Sequence, residues 1–207
     1  MYNDLAKDFL RCRYPLTVSI IPGLQKSKTI AREASLLSKE VLVHMPMEPL
    51  HAAYRDNGYI LLTDHNNSET RMRIRRAFSL LPNAVGMNNH QGSKATVNKQ
   101  LMSVVLTELN HLDKFFVDSK TNNKSIGYKL ARNMHIPTAC NTLFIDARDD
   151  REFMQGQMQR IVNMAVKGEN VIAIGHVRRD TYRVLLENMP KLEDKGIEFV
   201  YVSQLVK

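Results

Sequence analysis

Side chains able to bind a metal or move a proton recur at five places in this sequence, each directly after a short apolar run. His44 opens the stretch His44-Met45-Pro46-Met47-Glu48-Pro49, so a carboxylate follows the imidazole by four residues. His90 lies in Asn88-Asn89-His90-Gln91-Gly92-Ser93, and Asp118 opens Asp118-Ser119-Lys120-Thr121. Asp146 follows the run Thr142–Ile145, and His176 follows Gly175 after Asn170–Ile174. Alone, a histidine after a strand is usually a hydrogen-bonding loop residue, and an aspartate there is usually the N-cap of the next helix. Five on one rim point instead to a metal-dependent hydrolase. Imidazole with carboxylate suits a divalent ion such as zinc, with one position left open for water. His51, His65, His111 and His135 fall in loops or at helix ends and read as exposed; His51 is a reserve partner for His44.

Those five sites are useful only if the runs before them are strands of one parallel sheet or barrel. The runs are Leu16–Ile21, Glu40–Val43, Ala84–Met87, Lys114–Val117, Thr142–Ile145, Asn170–Ile174 and Ile197–Val202, with Tyr59–Leu62 a weaker candidate. Several are continuous rather than alternating, as expected of strands buried on both faces. Between them, helical periodicity covers Ser27–Ser38, Ser68–Leu80, Asn98–Leu109, Lys124–Met134, Asp149–Lys167 and Thr181–Lys195. Ser68, Thr96 and Asp180 read as helix-start residues, and Gly168 and Gly196 as helix stops. Repeated strand–helix order predicts an α/β fold with parallel strands, its chemistry at the C-terminal strand ends. A helical segment, Asp4–Arg11, precedes every strand, so the count is one strand short at the front.

At 207 residues the chain fits one domain, 1–207, and no apolar run approaches the roughly 18 residues of a membrane span. The net charge of +8 invites a nucleic-acid partner. Yet the densest basic run, Arg71, Arg73, Arg75 and Arg76, alternates with Met72, Ile74, Ala77 and Phe78 and reads as a solvated helix face. No tryptophan or interleaved aromatic platform accompanies it, so no nucleic-acid partner is expected. Cys12 and Cys140 lack metal spacing and read as small buried side chains rather than a disulfide.

The stretches His44–Pro49, Val85–Ser93, Val117–Thr121 and Ile172–His176, with Pro15–Pro22 and Gly196–Ser203, resemble the signatures of the divergent polysaccharide deacetylase family. The resemblance covers essentially the full chain. It implies a distorted (β/α) barrel, a divalent metal that is most often zinc, and a glycan or oligosaccharide substrate that loses an acyl group from an amino sugar. It also implies a site outside the cytoplasm or at the cell envelope, with any export signal upstream of Met1. By the same resemblance, His44 and His90 are metal ligands, with Glu48 the alternative to His90. His176 is the leaving-group histidine, and Asp118 and Asp146 are rim carboxylates. Asn89 and Ser93, with Ser119 and Thr121, would bind substrate.

Three departures stand against that pattern. Glu48 occupies the position four after His44 where the wider superfamily has a second histidine, and Val177 replaces a proline. The family's opening strand with its Asp pair has no counterpart, so the first strand is expected to be missing and the domain N-terminally incomplete. Such a chain is expected to be poorly stable and weakly active on its own. A non-catalytic carbohydrate-binding or envelope-interaction domain is therefore the alternative function.

Overall fold

A computed structural model describes residues 2–51 and 56–207. The chain alternates helices and strands: α1 (Tyr2–Arg11), β1 (Val18–Ile20), α2 (Ser27–Leu36), β2 (Val41–Met47), α3 (Asn67–Leu80), β3 (Ala84–Gln91), α4 (Lys99–His111), β4 (Phe115–Asp118), α5 (Gly127–Asn133), β5 (Thr138–Cys140), β6 (Leu143–Phe144), α6 (Arg151–Ala165), β7 (Ala173–Ile174) and α7 (Arg179–Glu193). This is the parallel α/β architecture expected from the apolar runs. Contacts divide it into two compact units. One is Thr17–Cys140 with Val206–Lys207, and the other is Asn141–Leu205 with the chain up to Leu16.

The larger unit is built on five strands in the order β1-β2-β3-β4-β5, every neighbouring pair parallel. β2 is apolar and buried at Val41, Leu42, Val43, Met45 and Met47; only His44 is partly open. That is the composition of a strand covered on both faces, with one polar residue reserved for its C-terminal half. β2 and β3 pair with His44 opposite Asn88 and Pro46 opposite His90. Tyr59–Leu62 contributes a single bridge, Leu61 beside Met47. β5, Thr-Ala-Cys, is only three residues long. It is held by the ladder from β4 and by reciprocal backbone bonds between Thr138 and Lys207.

Helix starts differ from the sequence expectation by a residue or two, because asparagine takes the caps. Asn66 rather than Ser68 caps α3, accepting from Glu69 N at 2.9 Å, and Asn98 caps α4 through Leu101 N at 2.9 Å. Thr96 lies in a 3-10 turn and donates to Gly92 O at 2.8 Å instead. Asp180 lies inside the first turn of α7, not before it.

Arg71, Arg75 and Arg76 of the basic run on α3 are exposed as its periodicity predicts, and Arg73 is not. Arg73 is only 9% exposed and is paired with Asp56 at 2.8 Å and Glu69 at 2.5 Å. Arg75 reaches the fully buried Glu108 of α4 at 2.5 Å, and Arg76 lies over the Tyr59 ring. Met72, expected to face the core, is exposed. Apart from Glu69 on the same helix, the partners of these arginines come from other segments, which a local charge pattern does not reveal.

In the smaller unit, β6 and β7 form a parallel pair, and α1, α6 and α7 are its helices. Leu143, Ile145, Met154, Met158, Val162 and Val184 make its core, joined by Phe199. Cys12 is buried with Tyr14 and Met189. Ile197–Val202 is not a strand: Ile197 and Phe199 pack against the core without a ladder, and the run ends in a 3-10 turn at Val202–Gln204. No helix among the described residues is long and apolar enough to cross a membrane.

Candidate functional site

The parallel register of β2 and β3 brings two imidazoles together. His44 Nε2 lies 3.1 Å from His90 Nδ1, with ring centroids 4.8 Å apart. The other nitrogen of His44, Nδ1, lies 2.9 Å from Asn88 Oδ1. Side chains alternate along a strand, so Asn88 and His90 share one face of β3 and Asn89 takes the other. Asn89 is fully buried there. Its Oδ1 accepts from Ser119 N at 2.8 Å, and its Nδ2 donates to Gln91 O at 2.8 Å and to Thr121 Oγ1 at 3.3 Å. Thr121 Oγ1 donates to Gln91 O in turn, at 2.8 Å. These bonds tie the loop after β4 to the end of β3.

Glu48, just beyond the end of β2, is committed elsewhere. It accepts from Thr63 N at 2.8 Å and Thr63 Oγ1 at 2.6 Å, and it pairs with Lys94 Nζ at 2.6 Å. Burial alone would raise its carboxyl above the usual range; the Lys94 and Thr63 hydrogen bonds outweigh burial and hold it below. Ser93 Oγ accepts from Leu50 N at 2.8 Å, so it too joins the loops after β2 and β3. Gly92 makes that closeness possible. Its φ is +87°, and a Cβ there would sit 2.9 Å from Met47 Cβ.

Asp118 is buried at the end of β4. It accepts from Lys120 N at 2.8 Å, Ser125 Oγ at 2.6 Å and Tyr128 N at 3.1 Å, which closes the β4–α5 loop. Its ladder partner Cys140 has a thiol pushed up by burial and by the Asp118 charge, the protonated and unreactive form.

The smaller unit holds a second histidine in a different way. Asp146 is buried just after β6. Its Oδ1 lies 2.9 Å from His176 Nδ1, and its Oδ2 accepts from His176 N at 2.8 Å and Thr181 Oγ1 at 2.7 Å. Burial would raise this carboxyl, but the His176 and Thr181 hydrogen bonds prevail and keep it below the ordinary aspartate value of 3.8. The His176 side chain is 51% exposed. A ring gripped at Nδ1 turns Nε2 away from its partner, the orientation of an acid–base histidine.

Of the remaining histidines, His51, His111 and His135 are exposed, and His65 accepts from Leu62 N at 3.3 Å. Asn88 holds His44, and Thr181 holds the Asp146 carboxylate that in turn holds His176; sequence reasoning assigned a role to neither Asn88 nor Thr181. The signal for Asn88 lay in the pairing of β2 with β3, because a residue two before His90 shares its face. Among the described residues, no group of three His, Cys, Asp or Glu side chains is close enough to hold a metal. Two do fit a shared cation: nitrogens each about 2.0–2.1 Å from one tetrahedral zinc lie about 3.3 Å apart, against the 3.1 Å between the His44 and His90 rings.

Within the larger unit, the parallel strands β2 and β3 bring His44 and His90 side by side in an α/β fold. Its relatives make the class specific. The chain belongs to the divergent polysaccharide deacetylase family, whose model matches residues 2–206. It is 33% identical over 179 residues to an uncharacterized protein of Haemophilus influenzae, covering 85% of this chain and 64% of that protein. It is 30% identical over 178 residues to the uncharacterized protein YibQ of Escherichia coli K12, covering 84% of this chain and 56% of YibQ. The chain thus spans less than two thirds of the length of either relative. The crystal structure of the uncharacterized protein ATU2773 from Agrobacterium tumefaciens C58 has the same fold. Its TM-score is 0.90 at 16% identity, over 99% of this chain and 84% of that one.

Proposed function

We propose that this chain is a carbohydrate-active, metal-dependent hydrolase that removes acetyl groups from an amino-sugar polymer or oligosaccharide. The approach of His44 Nε2 to His90 Nδ1 carries the reading, with His44 fixed from behind by Asn88. These two imidazoles would hold the divalent metal, for which zinc suits the donors best. Bound there, it would polarise the acyl carbonyl and acidify a water. In the hydrolysis a C–O bond forms at the acyl carbon, the C–N bond breaks, and the departing nitrogen takes a proton. By the family resemblance His176 is the leaving-group histidine; within its own unit Asp146 holds its Nδ1 and turns Nε2 outward. Asp118, Asn89, Ser93, Ser119 and Thr121 serve as the frame of the rim loops, and Glu48 braces the loop after β2.

Acetate release from N-acetylglucosamine oligosaccharides, with zinc or cobalt supplied, tests this directly. Release that stops with a chelator and in His90→Ala supports it. Glycan binding that is indifferent to chelator, with no acetate formed, favours a non-catalytic carbohydrate-binding domain. That second reading draws on the absence of a third ligand among the described residues.

A further inference from the structure

We infer that Asn88 is a positioning residue that fixes the tautomer of His44 so that its Nε2 lone pair faces His90; its importance for metal binding rests on the pair being the metal site proposed above. Asn88 is only 3% exposed and sits opposite His44 in the β2–β3 register. Its Oδ1 lies 2.9 Å from His44 Nδ1, and its Nδ2 donates to Ser119 Oγ at 3.3 Å. An amide oxygen only accepts, so the neutral His44 ring keeps its proton on Nδ1 and its lone pair on Nε2. Nε2 is the atom 3.1 Å from His90 Nδ1. That contact closes when His90 Nδ1 donates.

Without a cation the chain of bonds therefore runs one way, from His90 to His44 to Asn88 to Ser119. A cation taken up by the two rings requires His44 to change nothing. Only the proton on His90 Nδ1 moves, to Nε2 of the same ring, and both rings stay neutral. An Asn88 amide turned the other way would donate to His44 Nδ1. The His44 proton would then sit on Nε2, aimed at His90, where it opposes a cation. One buried amide thus decides whether the pair is ready to bind.

The full chain, metal-free and with isotope-labelled histidines, is read by long-range proton–nitrogen correlation NMR at about pH 8, where neutral imidazole dominates. Wild type and Asn88→Asp, which keeps an acceptor, should show His44 protonated at Nδ1. Asn88→Leu should lose that state. In competition titrations Asn88→Leu should bind zinc about 10–100-fold more weakly, and Asn88→Asp within a few-fold of wild type. A wild-type His44 protonated at Nε2 overturns the inference, as does an Asn88→Leu variant with unchanged tautomer and zinc affinity. If the wild type shows the expected tautomer but binds no zinc, the role of Asn88 stands and the metal reading fails.

Discussion

The two histidine sites use one device with different chemistry behind it. His44 follows buried apolar strand residues and His176 partly buried ones, and each is held at Nδ1 by an oxygen, at 2.9 Å in both cases. Behind His44 the oxygen belongs to the neutral amide of Asn88; behind His176 it belongs to the buried carboxylate of Asp146. Either acceptor sets the tautomer of the ring it holds, and the neutral amide does so without adding charge. A carboxylate tolerates a protonated ring beside it, which suits a ring that must carry a proton and release it. In the proposed roles His44 is a ligand and His176 an acid, and the acceptors behind the two rings differ in charge.

Substitutions can break that division of labour, and the largest effect belongs to the pair. His44→Ala should abolish tight zinc binding, a loss of about 100-fold or more, since even residues behind a ligand cost 10–100-fold. Equilibrium competition against a chromogenic chelator measures it. Asp146→Asn should leave zinc affinity unchanged while kcat for deacetylation falls by about 10²–10⁴-fold, as expected when a proton donor is misdirected. An equal loss of zinc in that variant would erase the distinction. Acid titration sharpens it further. Asp146 has a folded-state value below its ordinary 3.8, so its contribution to stability is complete above about pH 4 and fades as pH falls through the folded value. Thermal melts between about pH 5 and 2.5 should show an acid limb that Asp146→Asn flattens. The smallest effect is expected at Glu48. Glu48→Gln should cost about 1–3 kcal/mol of stability in denaturant unfolding through the lost Lys94 pairing, with zinc affinity within a few-fold of wild type.

Much of this was legible in the residues, for reasons that also explain the misses. Strands such as β2 and β4 announce themselves because burial on both faces demands unbroken apolar runs. β5 stayed hidden because Thr138–Cys140 is too short to stand out as an apolar run. Ile197–Val202 has the composition of a strand, but its side chains fill a core without pairing its backbone. His44, His90, Asp146 and His176 were visible as polar residues ending apolar runs. Their partners were not, because Asn88 is chosen by strand register and Thr181 by the docking of a helix. Glu48 shows the limit of spacing. Four residues after His44 looks like ligand geometry, yet β2 ends at Met47, and the carboxylate turns to Thr63 and Lys94.

The most direct measurement is zinc stoichiometry and affinity for the purified chain, by calorimetry, beside His90→Ala. The account predicts one zinc per wild-type chain and none retained by the variant. A wild-type chain that takes up no zinc, or a variant that binds it equally well, would contradict the claim that His44 and His90 form a metal site.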